Sequence, residues 1–276
     1  MIKLLRANLA RVYKLIIVAL VLYALCAIMI PLIFYVSFVE ETEATFMALA
    51  FNYGMSGLPV QAMFIALLCP LIYCSDFYNR TIKNKIVVGH AKSQIYLANL
   101  LTTAIISLML SAVYLLIFLV LDLPLFGKTN APAKDIILLL IDGTFMMFAY
   151  CAIFTFVSMT SRNSLTALIV TAALFTIGIL IAVYCYDVAS AVPYKAYPTY
   201  NEFGEVINEN IYVNEHMPSK ATQNFCQFLI DLFPSGQSWQ LSNENIVRWQ
   251  MPLYSLCVIG ATTGAGIAIF NKSNIK

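Results

Sequence analysis

The chain has 276 residues, of which 61% are hydrophobic and 11% are charged. A soluble domain carries about 25% charged residues, so this composition excludes an ordinary soluble protein. The formal net charge of +2 says little about partners, because the charges are segregated into short stretches between long apolar runs.

The first fourteen residues combine apolar and basic side chains at helical spacing. Ile2 and Leu5 fall on one side of a helix, and Lys3 and Arg6 fall on the other. Such a helix lies in the membrane interface with its basic side towards anionic headgroups. Residues 1–14 are therefore predicted to form an interfacial helix that is separate from the first span.

Six apolar runs are each long enough to cross about 30 Å of hydrocarbon. They predict an all-α polytopic membrane protein with one transmembrane domain and with spans at about residues 15–36, 57–74, 95–121, 136–158, 165–186 and 249–270. The second run contains Pro59, Gln61 and Pro70. Prolines are tolerated in a membrane helix where its neighbours satisfy the backbone carbonyls that they leave free.

Lysine and arginine are concentrated in the N-terminal stretch, in the loop between the second and third spans, and at the C-terminus. Acidic residues predominate in the longer loops on the other side of the membrane. By the positive-inside rule, both termini and the loop between spans two and three are predicted to be cytoplasmic.

Asp142 lies within the fourth span, where a carboxylate must face protein or water. A cavity-lining role and a structural hydrogen-bonded role are both open. Gly260 and Gly264 have the GxxxG spacing that favours close helix packing, either within one subunit or between two. Cys185 and Cys226 are both predicted on the outer side; a disulfide could join them, unless Cys185 is buried in lipid.

Residues 187–248 form a segment that is much longer than an ordinary connection. Its first half is rich in Tyr, Pro and Asn and is expected to be irregular or to form short strands. Its second half predicts an amphipathic helix at the outer surface, beginning at Ser219 and ending before Pro234, with an apolar face formed by Phe225, Phe228, Leu229 and Leu232.

Motifs of membrane enzymes are absent from the sequence, which has neither HExxH nor GxSxG. Its two histidines, His90 and His216, are predicted on opposite sides of the membrane. Residues 266–273 imitate the spacing of a P-loop, but Asn271 stands where the second glycine belongs. We expect no catalytic residue, no metal site and no nucleic-acid partner, and any ATP that is used must bind another chain.

The loop after the second span begins DFYNRTIKNKIVVGHAK and predicts a short helix over Asp76–Val88. Its acidic first residue suits the start of a helix, and Gly89 suits a left-handed stop. One side of this helix is apolar, formed by Phe77, Tyr78, Ile82 and Ile86. An ordinary basic loop is the alternative interpretation.

Residues 76–101 resemble the first cytoplasmic loop of the permease subunits of ABC-2 type transporters. That loop has the pattern E-F-x-N-G-T-[IL]-K, then a Gly or Pro, then S-R-x-x-[IFY] and K-L-L. The residues that match it are Asp76, Phe77, Asn79, Thr81, Ile82, Lys83, Gly89, Lys92, Ile95, Tyr96, Leu100 and Leu101. Three residues depart from it: Arg80 at the usual glycine, Ala91 at the serine and Asn99 at the lysine.

The resemblance implies that this loop is a coupling helix, which docks in a groove of a separate ABC ATPase subunit. Phe77, Ile82 and Ile86 would enter a pocket in that subunit. Arg80, Lys83 and Lys85 would meet acidic residues at the rim of the groove. The ATPase would bind ATP and magnesium, so this chain would hold no cofactor and would not be an enzyme.

The resemblance also implies the permease of a bacterial exporter in the plasma membrane, paired with a second copy or a paralogue. The candidates for lining its translocation pathway are Gln61, Pro70, Asp142 and Gly178. An antibiotic, an antimicrobial peptide or another hydrophobic or amphipathic compound is the expected substrate. The alternative is a non-transporting immunity or sensory protein that binds a peptide through residues 187–248.

Overall fold

The computed structural model describes residues 1–38, 57–122, 124, 133–200, 206–213, 216–243 and 249–273. Its helices are α1 (Ile2–Phe38), α2 (Leu58–Tyr78), α3 (Thr81–Val87), α4 (Lys92–Ile117), α5 (Ala133–Ser161), α6 (Ser164–Ala189), α7 (Lys220–Leu232), α8 (Pro234–Asn243) and α9 (Met251–Lys272). A π-helical turn, Phe118–Asp122, follows α4. Two strands, β1 (Tyr194–Tyr200) and β2 (Val206–Val213), lie between α6 and α7.

Within the described residues, six helices are long and apolar enough to cross a membrane, namely α1, α2, α4, α5, α6 and α9. The prediction of an all-α polytopic membrane protein is confirmed. The N-terminus, the α3 loop, the α5–α6 turn and the end of α9 lie together at one end of the bundle, which we call the terminal end. The opposite end, where α6 leads into β1, is the distal end.

The centre of the bundle is formed by α2 and α5. In the most apolar part of each span, 61% of the residues of α2 and 50% of those of α5 are buried, against 22% or less in each of the other four spans. α2 packs mainly on α5 and α6, α5 packs mainly on α9, and α1 packs on α4. The outer helices keep many large apolar side chains exposed, as lipid contact requires.

The first fourteen residues do not form a separate interfacial helix, because α1 runs without interruption from Ile2 to Phe38. The predicted apolar stripe overlaps the buried face only in part, since Val12 and Ile16 are buried and Ile2 is 75% exposed. The buried face recurs every three or four residues, at Leu4, Asn8, Val12, Ile16, Ala19, Tyr23 and Ala27. This face packs against α4, so the first turns of α1 belong to the bundle.

The two prolines of α2 have different effects. Pro59 lies in the first turn, where its missing N–H is not needed. Pro70 lies inside the helix and leaves the carbonyl of Ala66 without its usual intrahelical donor. Thr171 of α6 donates its hydroxyl to this carbonyl at 2.9 Å. A neighbouring helix thus satisfies the freed carbonyl, as predicted.

β1 and β2 form an antiparallel hairpin at the distal end, with Tyr194 opposite Val213 and an irregularity between Thr199 and Tyr200. The expectation of short strands in this part of the segment is therefore confirmed. The register covers seven residue pairs.

α7 and α8 form a second hairpin, which enters the bundle from the distal end. Near the start of α7, Gln223 Nε2 donates to the carbonyl of Ala191 at 3.0 Å, just beyond α6. At the tip, Ser235 lies against Gly178, about eleven residues or about 16 Å along α6 from its distal end. The helix that was predicted at the outer surface is thus largely inserted between the spans.

The insertion also changes which side of α7 is buried. Phe225 and Phe228 of the predicted apolar face are 60% and 43% exposed, whereas Cys226 and Ile230 are buried. Ser219 does cap the helix, accepting from the N–H of Thr222 at 3.2 Å.

The hairpin carries polar side chains that are buried and hydrogen-bonded. Gln237 Nε2 donates to the carbonyls of Asp231 at 2.7 Å and Met251 at 3.2 Å. Its Oε1 accepts from Ser255 Oγ at 2.9 Å. Non-helical backbone at membrane depth is tolerated where protein surrounds it, and here α5, α6 and α9 do so.

Candidate functional site

The loop at the terminal end folds as a short helix between two tight turns. α2 continues to Tyr78, and Arg80 then takes a left-handed conformation with a φ of 54°. α3 therefore begins at Thr81, later than the predicted start at Asp76. Gly89, with a φ of 98°, forms the left-handed turn into α4 that the sequence predicted.

One face of this loop is exposed and mixes apolar and basic side chains. Tyr78 is 89% exposed, and Val87 and Val88 are each 77% exposed. We call the whole exposed set the loop surface: Tyr78, Asn79, Arg80, Lys83, Asn84, Val87 and Val88. Except for Tyr78, the last residue of α2, the loop surface lies between α2 and α4 and outside the six candidate spans.

The predicted docking anchor is not part of the loop surface. Ile82 is fully buried, and Phe77 and Ile86 pack against the same core within the chain. The ring of Phe77 meets that of Phe270 edge-on, with centroids 6.3 Å apart. The guanidinium of Arg162 lies 5.9 Å from the centroid of the Phe77 ring. Ile82 therefore fixes α3 to the bundle and is not exposed to a partner, whereas Phe77 and Ile86 are partly buried against the same core.

A buried ionic network lies beneath the loop surface. Asp76 is 2% exposed and pairs with Arg11 of α1. Lys85 of α3 approaches the same carboxylate at 3.3 Å and donates to Asn8 Oδ1 at 2.8 Å. Asn8 Nδ2 in turn donates to Asn99 Oδ1 at 2.9 Å. The network joins α1, α2, α3 and α4.

Lys85 therefore lies inside the protein, although it was predicted at the rim of a docking site. The pKa of its ammonium group is lowered from the usual value, mainly by burial. The Asp76 carboxylate opposes this shift, and the positive charge of Arg11 adds to it. Lys92 is also used within the chain. Its Nζ donates to the carbonyls of Asn271 at 3.0 Å and Ser273 at 2.8 Å, and so holds the end of α9.

A cavity of about 370 Å³ lies between α5, α6, α9 and the α7–α8 hairpin. Its wall is mostly apolar and includes Phe154, Leu174, Ile177, Ile181, Leu229 and Val258. Gly178 also lines it, and a Cβ atom there would lie 3.0 Å from Ser235 Oγ. The absence of a side chain at Gly178 lets the hairpin tip approach α6.

The four predicted pathway residues do not share one site. Gly178 lines the cavity, whereas Gln61, Pro70 and Asp142 are not among its lining residues. Gln61 Nε2 donates to the carbonyl of Ser107 at 2.7 Å, which joins α2 to α4. Pro70 is buried within α2. Asp142 is 2% exposed, and neither of its carboxylate oxygens has a hydrogen-bond partner among the described residues.

Cys185 and Cys226 lie together at the distal end, in a small apolar cluster with Ile230. Both are free thiols, so the predicted pair is adjacent but not bonded. In the described part of the chain, no group of three or more His, Cys, Asp or Glu side chains could hold a metal ion.

Sequence reasoning missed two features of this region. The exposure of Val87 and Val88 could not be predicted, because both valines suit either side of a short apolar helix. The neighbouring residues do not show which side of that helix is buried. The cavity was missed because four separate segments form its wall.

Comparison with models of protein families found no match, and comparison with curated proteins found no significant match.

Proposed function

We propose that this chain is the permease subunit of an ATP-driven exporter of ABC-2 type, and that the loop surface binds a separate ATPase subunit. The observation that carries the proposal is the loop surface, where two exposed valines and two exposed basic side chains lie on or next to α3, between two of the candidate spans. The resemblance of residues 76–101 to the permease loop supports the same interpretation.

The attachment of α3 supports a coupling role. Two short turns join it to α2 and α4, and Ile82 and the Asp76 network fix it to the bundle. A partner that moved this helix would therefore move the spans with it, since no slack linker absorbs the displacement. In this proposal the ATPase binds ATP and magnesium, and the terminal end faces the cytoplasm of a bacterial cell.

A second permease copy or a paralogue completes the proposed transporter. Gly260 and Gly264 are exposed on α9, and no described atom lies within 4 Å of a Cβ built on either. The two glycines therefore do not pack closely against another helix within the described part of the chain. In this proposal, their side of α9 packs against the second subunit. The proposed cargo is an antibiotic, an antimicrobial peptide or another hydrophobic or amphipathic compound.

The test is purification of the tagged chain from its own host in mild detergent. We expect a protein with a P-loop, identified by mass spectrometry, to copurify and to hydrolyse ATP. The double variant Val87→Asp, Val88→Asp should lose this partner, because a carboxylate without a counter-charge is costly to bury in an interface. Ser164→Asp, an exposed change at the same end of the bundle, should keep it.

Retention of the ATPase by the valine double variant would remove the loop surface as its binding site. A chain that copurifies with no ATPase, but binds a peptide through the distal segment, would favour the non-transporting alternative.

A further inference from the structure

The cavity lies at the depth of the hydrocarbon layer. Gly178 on its wall is about eleven residues from the distal end of α6, which corresponds to about 16 Å. The hydrocarbon core is about 30 Å thick, so the cavity lies near its middle. Thr262, on the opposite wall, is likewise close to the middle of α9.

Hydroxyl groups are few on the wall, which carries those of Tyr150, Ser235 and Thr262 among seventeen lining residues. Thr262 Oγ1 already donates to the carbonyl of Val258 at 2.7 Å. A polar ligand would lose its own hydration and would find few groups to replace it, which is unfavourable. The chemistry of the wall therefore selects an apolar occupant.

The size of the cavity also indicates an occupant. Protein interiors contain few voids larger than a water molecule, and about 370 Å³ falls within the usual range of ligand pockets. Water does not fill an apolar cavity of this kind readily.

The cavity communicates with the flank of the bundle. Leu174, Ile177 and Ile181 line it, and yet they are 46%, 53% and 47% exposed. The same side chains thus face both the cavity and the exterior of α6. Phe233 of the hairpin, which also lines the cavity, is 46% exposed. In a bilayer, this flank is in contact with lipid chains.

We propose that this cavity holds one acyl chain of a membrane lipid, which enters between α6 and the tip of the α7–α8 hairpin. An acyl chain makes no demand for hydrogen bonds, adapts to an irregular apolar wall, and is present at high concentration at this depth. The bound chain contacts α5, α6, α9 and the hairpin at once, so it stabilises the hairpin in its inserted position. This inference requires the membrane-spanning fold and does not depend on an ATPase.

The test uses the full chain in nanodiscs that contain phosphatidylcholine with a diazirine in the middle of one acyl chain. After irradiation, labelled peptides are mapped by mass spectrometry. We expect labels on lining residues that are buried in the structure, namely Phe154, Ala182 and Ile230. Ala182→Phe, which places a ring in the cavity from a position that is 3% exposed, should reduce this labelling at least fivefold.

Leu180→Phe is the matched control, since Leu180 is on the same helix, is 64% exposed and does not line the cavity. Its labelling should equal that of the parent chain. Val258→Phe fills the cavity from α9 and serves as a second variant if Ala182→Phe fails to give a monodisperse protein.

Labelling by the filled variants at the parent level would overturn the proposal. So would labelling of the parent chain that is confined to exposed side chains such as Leu165 and Leu180, because that pattern is produced by surrounding lipid alone. Native mass spectrometry gives an independent measure: the parent chain should retain one lipid that Ala182→Phe lacks, and equal retention would contradict the assignment.

Discussion

Asp76 is nearly fully buried and is held by cations from two other helices. A buried carboxylate is stable only when its charge is balanced, so Arg11 and Lys85 are needed for the loop to fold. The sequence predicted Asp76 and Lys85 in one exposed loop helix, whereas Asp76 ends up in α2 and Lys85 in α3, both inside the protein. Their partners, Arg11 and Asn8, are far away along the chain, and local spacing carries no information about them.

Asp76→Asn should reduce the free energy of unfolding by about 3 kcal/mol, because it removes the counter-charge of Lys85, whose side chain is only 11% exposed. Lys83→Gln changes the charge on the same loop at an exposed position and should change stability by less than about 1 kcal/mol. Thermal or denaturant unfolding in detergent measures both. Equal effects of the two variants would show that the network contributes nothing specific.

Thr171 compensates for the backbone hydrogen bond that Pro70 removes from α2. Thr171→Val should cost about 0.6–1.7 kcal/mol, the range for hydrogen bonds between membrane helices. Thr166→Val, on the exposed part of the same helix, is the control. In a Pro70→Ala background the carbonyl of Ala66 regains an intrahelical donor, so Thr171→Val should then cost less. An unchanged cost in that background would argue against this role.

Arg80 shows how far the resemblance could guide the prediction at a single position. It occupies the usual glycine position of the permease pattern, and the structure gives it a left-handed backbone. An arginine thus adopts a conformation that a glycine would adopt without strain, at a cost of about 1–2 kcal/mol. The turn also ends α2 later than predicted, which leaves Asp76 in α2.

At the scale of the elements, the packing of the α7–α8 hairpin depends on the close approach of its tip to α6. A side chain at Gly178 would meet Ser235, whose Oγ lies 3.0 Å from the position of a Cβ. Gly178→Leu should therefore push the hairpin tip away from α6 and make the buried Cys226 more reactive. We expect its rate of modification by a small maleimide to rise at least tenfold.

Gly260→Leu is the matched control for Gly178→Leu, because a Cβ at Gly260 meets no described atom within 4 Å. Its Cys226 should react at the rate of the parent chain. If Gly178→Leu left that rate unchanged, the hairpin would not be held by its contact with α6.

The sequence predicted which segments form helices. It did not predict which side of each helix is buried, or how far the α7–α8 hairpin enters the bundle. The apolar runs predicted the six spans, because a run of about twenty apolar residues has the length and composition of a helix that crosses the hydrocarbon core. The buried side of α1 includes Asn8, a polar residue that joins the core only because Asn99 lies opposite. Similarly, α7 buries Cys226 rather than Phe225, since α6 and not water covers that side.

For the whole molecule, the distribution of charge predicts one orientation in the membrane. Lys83→Cys and Lys220→Cys place single thiols at exposed positions of the terminal and distal ends. With Cys26 and Cys257 replaced by serine, a membrane-impermeant maleimide should label the first only from the cytoplasm and the second only from outside. Labelling of both from one side would contradict six crossings.

The hydrogen bonds of Gln237 affect how the chain is made. Its amide reaches Met251 and Ser255 of α9, and α9 leaves the ribosome after α7 and α8. Until then, the polar groups of the α7–α8 hairpin have no stable place in the hydrocarbon. The hairpin should therefore wait at the distal surface during synthesis and enter the bundle only after α9 is inserted. A chain arrested before Met251 would expose this segment to quality-control proteases.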